Sequence, residues 1–243
     1  MFPDDCRICG APLRGFTRVP VCAGCLSAPE PLDAEWFCMV CKTPFQNRYP
    51  LDDQGRCGLC RAGQRGFDEA FCFGFYEGAL RSLIHLFKYA AMRPLARPLA
   101  NLLMAALPRD RRFDAVVPMP LHWRRRWQRG FNQSELLARQ VARRTGIPLR
   151  RLARRARGTA PQAGLSNSAR RRNVAGAFRG RAGARGLDLL LVDDVMTTGS
   201  TASACALALR RAGARSVTLL TLARADRRLP VSAHADLLTL GAS

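Results

Sequence analysis

The chain has 243 residues and carries 39 basic against 18 acidic side chains, a formal net charge of +21. That length allows one or two domains with a real core, and 48% hydrophobic residues exclude a wholly disordered chain. The longest apolar runs, 102–107 and 189–192, are far too short to span a bilayer, so no membrane insertion is expected. Met1-Phe2-Pro3-Asp4-Asp5 is acidic where an export signal would be basic. A cytoplasmic location is therefore expected, and there the ten cysteines read as metal ligands rather than disulfides. Only Lys42 and Lys88 are lysines; the 37 arginines reflect codon bias of a GC-rich genome, but their placement is informative. Residues 1–67 are net +1, whereas residues 109–185 hold 21 arginines against three acids, net +18. Such a window attracts phosphates, whether of a nucleotide or of a polymer.

Eight cysteines form four Cys-x-x-Cys knuckles: Cys6/Cys9, Cys22/Cys25, Cys38/Cys41 and Cys57/Cys60. Two such knuckles make one closed tetrahedral zinc site. Spacing alone leaves the pairing open, since two of the gaps are both twelve residues. An internal repeat favours one answer: Cys6-Arg7-Ile8-Cys9-Gly10-Ala11-Pro12-Leu13 recurs as Cys38-Met39-Val40-Cys41-Lys42-Thr43-Pro44-Phe45. Two consecutive zinc ribbons are expected, with ligands 6/9/22/25 and 38/41/57/60 and two structural Zn²⁺ ions on which residues 1–67 depend for folding. Cys72 and Cys205 read as ordinary buried residues.

From residue 68 the periodicity alternates strand and helix. Residues 71–75 read as a strand; Leu80, Leu83, Ile84 and Phe87 as one helix; Leu95, Leu99, Leu102, Leu103 and Leu107 as a second. A strand over 113–117 runs into Pro118-Met119-Pro120, and a helix over 131–145 ends at Gly146. Residues 150–185 read as a long mobile loop. A strand over 187–194, a helix over 202–212 and a strand over 217–222 follow, so residues 68–243 are expected to form a parallel sheet flanked by helices. The decisive stretch is Val192-Asp193-Asp194-Val195-Met196-Thr197-Thr198-Gly199-Ser200-Thr201. An apolar strand delivers two carboxylates to its C-terminal edge, where ligands bind in open α/β sheets. A hydroxyl-rich turn then opens a helix and offers an anion cradle. Acids beside such a cradle point to a sugar phosphate. A P-loop is excluded, because neither lysine follows a glycine.

That stretch resembles the phosphoribosyl pyrophosphate (PRPP) signature of type I phosphoribosyltransferases. Together with the knuckles, Phe87-Lys88-Tyr89, Arg129-Gly130-Phe131-Asn132-Gln133-Ser134-Glu135, and segments 159–165 and 170–178, it makes the chain similar to the competence-associated ComF/GntX group. The resemblance implies that Asp193 and Asp194 hold the ribose hydroxyls and that Thr197, Thr198, Gly199, Ser200 and Thr201 bind the 5-phosphate. Mg²⁺ would bridge ribose and pyrophosphate oxygens. It places the pyrophosphate loop at 119–122, with Pro120, His122 and the arginines that follow (Arg124, Arg125, Arg126 and Arg129) around PRPP. Arg157, Thr159 and Gln162 would close over the site, with Arg129 and Arg157 sharing the catalytic role with the two acids.

Plainer readings stand beside these. Asn132 is either the N-cap of its helix, with Glu135 completing a capping box, or a ligand contact. Lys88 either snorkels from an apolar helix face or meets phosphate. His85 reads as structural. The expected function is Mg²⁺-dependent transfer of phosphoribose from PRPP to a nitrogenous acceptor, linked to DNA uptake or nucleotide metabolism. The alternative is a non-catalytic PRPP sensor that binds internalised single-stranded DNA through residues 109–185 and associates with the uptake machinery.

Overall fold

The computed structural model describes residues 5–13, 18–63, 66–122, 127, 129–158 and 167–225. The N-terminal part holds little regular structure: α1 (Ala23–Ser27), a two-stranded ribbon of β1 (Trp36–Phe37) and β2 (Pro44–Phe45), and α2 (Gly58–Arg61). Its apolar core is small, and its buried positions include Cys6, Cys38, Cys41 and Cys57.

The remainder is built on one parallel sheet. In chain order come β3 (Glu69–Phe75), α3 (Gly78–Tyr89), α4 (Ala96–Ala106), β4 (Ala115–Pro118), α5 (Gln133–Thr145), β5 (Ala153–Arg155), α6 (Asn167–Val174), β6 (Phe178–Gly180), β7 (Asp188–Met196), α7 (Ser200–Arg211) and β8 (Ser216–Arg224). Strand order is β3-β8-β7-β4 with every pairing parallel, which places all four C-terminal ends on one edge. The central strands β7 and β8 are near-continuous apolar runs because both their faces are covered.

Side-chain alternation divides the core in two. Ala115, Val117, Leu189, Leu191, Val217 and Leu219 face a layer made by α7 and the β5–β6 hairpin, with Cys38, Cys41 and Cys57 packed into the same cluster. Val116, Leu190, Val192, Leu220 and Leu222 face α3, α4 and α5, and Cys6 joins that cluster. The two cysteine modules thus sit on opposite faces of the sheet, straddling strand β3. The segment joining them runs along that strand: Leu32 N–H donates to the Phe73 carbonyl at 2.5 Å, and Ala70 N–H donates to Val40 at 2.7 Å. At the other edge, residues 148–150 pair with Val116 of β4.

The expected strands and helices are present with shifted ends, but one expectation is corrected. Residues 150–185 are not a single loop: β5 and β6 pair antiparallel, and α6 lies between them. Leu152, Ala153, Val174, Ala177 and Phe178 are buried there, too widely spaced among arginines to show a period. Gly180 lets β6 approach α7, since a Cβ would fall 2.4 Å from the Ala208 carbonyl. Among the described residues no helix is long and apolar enough to cross a membrane.

Candidate functional site

The eight knuckle cysteines fall into two groups, Cys6/Cys9/Cys22/Cys25 and Cys38/Cys41/Cys57/Cys60, in each of which the sulfurs lie within 4.8 Å of one another. This is the pairing indicated by the internal repeat. Zn–S bonds of about 2.3 Å in a tetrahedron require sulfurs about 3.8 Å apart, and the observed Cys9–Cys22 and Cys41–Cys57 separations are 3.7 and 3.8 Å. Backbone N–H groups of Cys22 and Cys57 donate to the sulfurs of Cys6 and Cys38, both at 3.3 Å, as thiolate ligands require. Both groups therefore fit zinc. Cys205 is buried as expected, whereas Cys72 on β3 is only partly so.

A cleft of about 230 Å³ opens at the C-terminal edge of the sheet, between the ends of β4 and β7. Asp193, Asp194, Thr197, Gly199, Ser200, Thr201, Pro120 and Arg129 all line it. Gly199 adopts φ 76°, a conformation costly for other residues, and so turns the chain into α7. The Thr198 and Ser200 hydroxyls lie 2.9 Å apart inside this turn. The N-terminus of α7 consequently faces the cleft with backbone donors and hydroxyls, an arrangement suited to an anion.

The acids are asymmetric. Asp194 is 4% exposed, and its Oδ1 pairs with Lys88 Nζ at 2.9 Å, while Oδ2 has no hydrogen-bond partner. Burial alone would lower the Lys88 pKa; the charge and hydrogen bond of Asp194 outweigh it and hold the ammonium above its ordinary value. Asp193 Oδ1 accepts from the Ser134 hydroxyl at 2.8 Å and from Asp194 N–H at 2.9 Å. Burial, and next the adjacent Asp194 charge, push the Asp193 carboxyl up to about 7. The Lys88 ammonium beside Asp194 and the firmly held Asp193 proton together reduce the negative charge that an incoming anionic ligand meets.

This raised value has a measurable consequence. The folded state holds the Asp193 proton more tightly than the unfolded chain does, so this stability is full at low pH and is lost as pH rises from about 4 to about 7. Asp193→Asn should flatten that dependence. Since the side chain is partly exposed, its melting temperature at about pH 8 should exceed wild type by only roughly 2–4 °C, the effect of about 1 kcal/mol in a chain of this size. An unchanged pH profile would show that Asp193 ionises freely.

Other expected residues lie elsewhere. His122 packs against Gly158, where an added Cβ would meet its Nε2 at 3.1 Å, and is not among the cleft residues. Arg157 donates to the Ala175 carbonyl at 2.8 Å and to that of Asn173 at 3.4 Å, so the structure does not bring it to the carboxylates. Arg124, Arg125, Arg126, Thr159 and Gln162 lie outside the described residues. Asn132 caps α5, accepting from Ser134 N–H at 3.1 Å, and its amide donates to the Met119 carbonyl at 3.1 Å. Glu135 does not complete a capping box; it pairs with Arg139 and Arg151. Arg129 lies over the Tyr89 ring, 5.0 Å from its centroid, at the rim of the cleft. Sequence reasoning missed the pairing of Lys88 with Asp194, the Ser134 hydroxyl, and Gln133 and Arg155, which also line the cleft.

Residues 132–239 match the family model described as phosphoribosyl transferase domain, a span that includes α5, β7 with its turn, α7 and β8. The fold is that of a phosphoribosyltransferase-like protein. Over most of its length the chain is 33% identical to DNA utilization protein YhgH of Salmonella typhimurium (229 residues, 91% of this chain and 97% of the relative). It is 35% identical to competence protein F of Haemophilus influenzae over 179 residues, 70% of this chain and 78% of that one. The chain belongs to this family, the ComF family. A weaker likeness, at 22% identity and a TM-score of 0.38, is to glutamine PRPP amidotransferase from B. subtilis complexed with ADP and GMP, over 53% of this chain and 26% of that one.

Proposed function

We propose that residues 1–67 form a double zinc ribbon, that residues 68–243 form a PRPP-binding domain, and that the protein transfers phosphoribose to a nitrogenous acceptor. The observation that carries this reading is the single cleft shared by Asp193, Asp194 and the hydroxyl-rich turn that opens α7. Carboxylate oxygens accept hydrogen bonds from vicinal ribose hydroxyls. Thr197, Ser200 and Thr201, with the backbone donors of the turn, hold the 5-phosphate, while Thr198, not among the cleft residues, braces the turn against Ser200. Arg129 meets the pyrophosphate and stabilises its developing charge more than that of the ground state. Arg157 takes part only if its present carbonyl contacts are exchanged on closure. The carboxylate side of the cleft offers hard oxygen donors, among them Gln133 Oε1, buried without a hydrogen bond, and the partly exposed Asp193 carboxyl, and such donors fit Mg²⁺. When bound, that ion would supply Lewis-acid stabilisation of the charge that develops on the leaving pyrophosphate.

Pyrophosphate release from PRPP, followed across a panel of bases and amines, tests the transfer reaction; turnover with one acceptor supports it. Tight PRPP binding without turnover across the panel would favour the second reading, a PRPP-responsive protein that handles single-stranded DNA. The names of the relatives and the exposed arginines Arg139, Arg143, Arg144, Arg150 and Arg151 on and after α5 favour that reading. DNA binding should then follow the charge of residues 109–185 and not the near-neutral cysteine module. In fluorescence anisotropy of the full chain, log K should fall by roughly 0.7 per phosphate contact for each tenfold rise in salt. Replacing Arg139, Arg143 and Arg144 by Gln should lower both affinity and slope; unchanged values would move the contact elsewhere.

A further inference from the structure

Arg224 is the last residue of β8, in register with Met196 of β7 and Phe75 of β3, and it is 0% exposed. Taking a guanidinium out of water is costly unless charge and hydrogen bonds compensate, so its contacts show what holds it. One terminal nitrogen donates to the Met196 carbonyl at 3.3 Å, and the other donates to the Thr43 hydroxyl. Thr43 is also fully buried, and its Oγ1 lies 2.9 Å from Cys41 Sγ. A metal-bound thiolate has no proton to give, so with Cys41 as a ligand the Thr43 hydroxyl is the donor to the sulfur. Cys41 belongs to the second cysteine group, and four thiolates around a divalent ion carry a formal charge of −2. A buried cation one hydroxyl away is its natural counter-charge, and the low local dielectric strengthens that attraction.

The other end of this chain of contacts reaches the cleft. Met196 ends β7, and its carbonyl also accepts from Ala225 N–H at 3.2 Å. A planar trans peptide directs the following N–H opposite to that carbonyl, so fixing Met196 O fixes the direction of Thr197 N–H, where the anion-binding turn begins. Both residues line the cleft.

We propose that Arg224 is a positioning residue that couples the second cysteine group to the phosphate turn, so that metal at Cys38/Cys41/Cys57/Cys60 tightens the turn and ligand in the turn tightens the metal. This rests on reading the cleft as a PRPP site. Coupling of two equilibria is reciprocal, and that permits a test without turnover. Zinc release from the full chain to a chelator should show two phases, one per cysteine group. PRPP with Mg²⁺ should slow one phase by roughly five- to tenfold, the lower range of couplings between sites, and leave the other unchanged.

Arg224→Met should retain two zinc ions on isolation, lose the ligand-dependent slowing, and release zinc from the second group faster even without ligand. Arg224→Lys should restore part of the effect. Should Arg224→Met fail to fold, Thr43→Val cuts the same chain at the hydroxyl with little change in shape, and the same losses are expected. Zinc release from Arg224→Met or Thr43→Val identical to wild type, with and without PRPP, overturns the coupling. A wild type that fails to bind PRPP overturns the sugar-phosphate reading instead, and the faster ligand-free release from the variants still decides the link to Arg224.

Discussion

Asp194→Asn protein is expected to keep both zinc ions and to lose its thermal response to PRPP. In the wild type, PRPP with Mg²⁺ at one hundred times its dissociation constant should add about 2.7 kcal/mol of stability, since ligand binds only the folded chain. The carboxylate at residue 194 has one oxygen committed to Lys88 and the other buried at the cleft without a hydrogen bond, so that second oxygen is the one left for a ribose hydroxyl. Asparagine keeps the shape but removes the carboxylate paired with the buried Lys88 ammonium, leaving Asp193 as the nearby acid, so the loss should reach at most the roughly 3–5 kcal/mol of breaking a buried pair. The ligand-free melting temperature should therefore fall as well. The double variant Lys88→Met/Asp194→Asn removes both charges; it should regain much of that temperature and still ignore PRPP. A single variant that responds as wild type does would mean that the two carboxylates are not the ribose clamp.

Removing zinc should have the larger structural effect. Elemental analysis of protein purified without chelator is expected to give two zinc ions per chain, with eight cysteines alkylated only after the metal is stripped. One ion per chain would contradict the pairing of the knuckles. Structural zinc in small domains contributes on the order of 10–16 kcal/mol of apparent folding free energy, so the N-terminal module should unfold completely without it. The effect should not stop there. Cys38, Cys41 and Cys57 share one packed cluster with Leu191, Leu219 and α7, so the melting transition of the sheet should fall too. An unchanged transition for the remainder would make the module a mere appendage.

The cysteine groups and the acid-turn segment were legible because each is a short pattern whose chemistry dictates its spacing. Two cysteines with two residues between them can turn both thiolates toward one ion, and a glycine in a hydroxyl-rich turn after an apolar strand readily opens a helix. What could not be read was contact between distant segments. Ser134 and Asp193 are 59 residues apart, and Arg224 meets Thr43 across 181; no local period records either meeting. The β5–β6 hairpin was hidden because its strands are three residues each and carry arginines on their exposed side. Glu135 matched a capping spacing yet answers to Arg139 and Arg151, which are opposite in charge. Lys88 did leave a signal: in a chain with 37 arginines, one of only two lysines marks a place where a compact ammonium is needed. It reaches from the last turn of α3 to the buried Asp194 carboxylate.

The placement of the cysteine modules across strand β3 has a consequence for the fate of the protein in a metal-poor cell. An outer strand with unpaired backbone groups is a template for other chains, and Glu69–Phe75 reads Glu-Ala-Phe-Cys-Phe-Gly-Phe, aromatic, nearly uncharged and without proline. At present Leu32 and Val40 engage its backbone. Both belong to segments whose course is set by the flanking knuckles. With zinc in both groups, as proposed, its loss would loosen that cover from the strand and lay open seven residues with the makings of a cross-β segment. Metal starvation would then announce itself as insolubility of the newly made chain before any deficit in its chemistry could be measured. The ribbons would serve as a check on quality, keeping the sheet from self-association only in molecules that have acquired their ions.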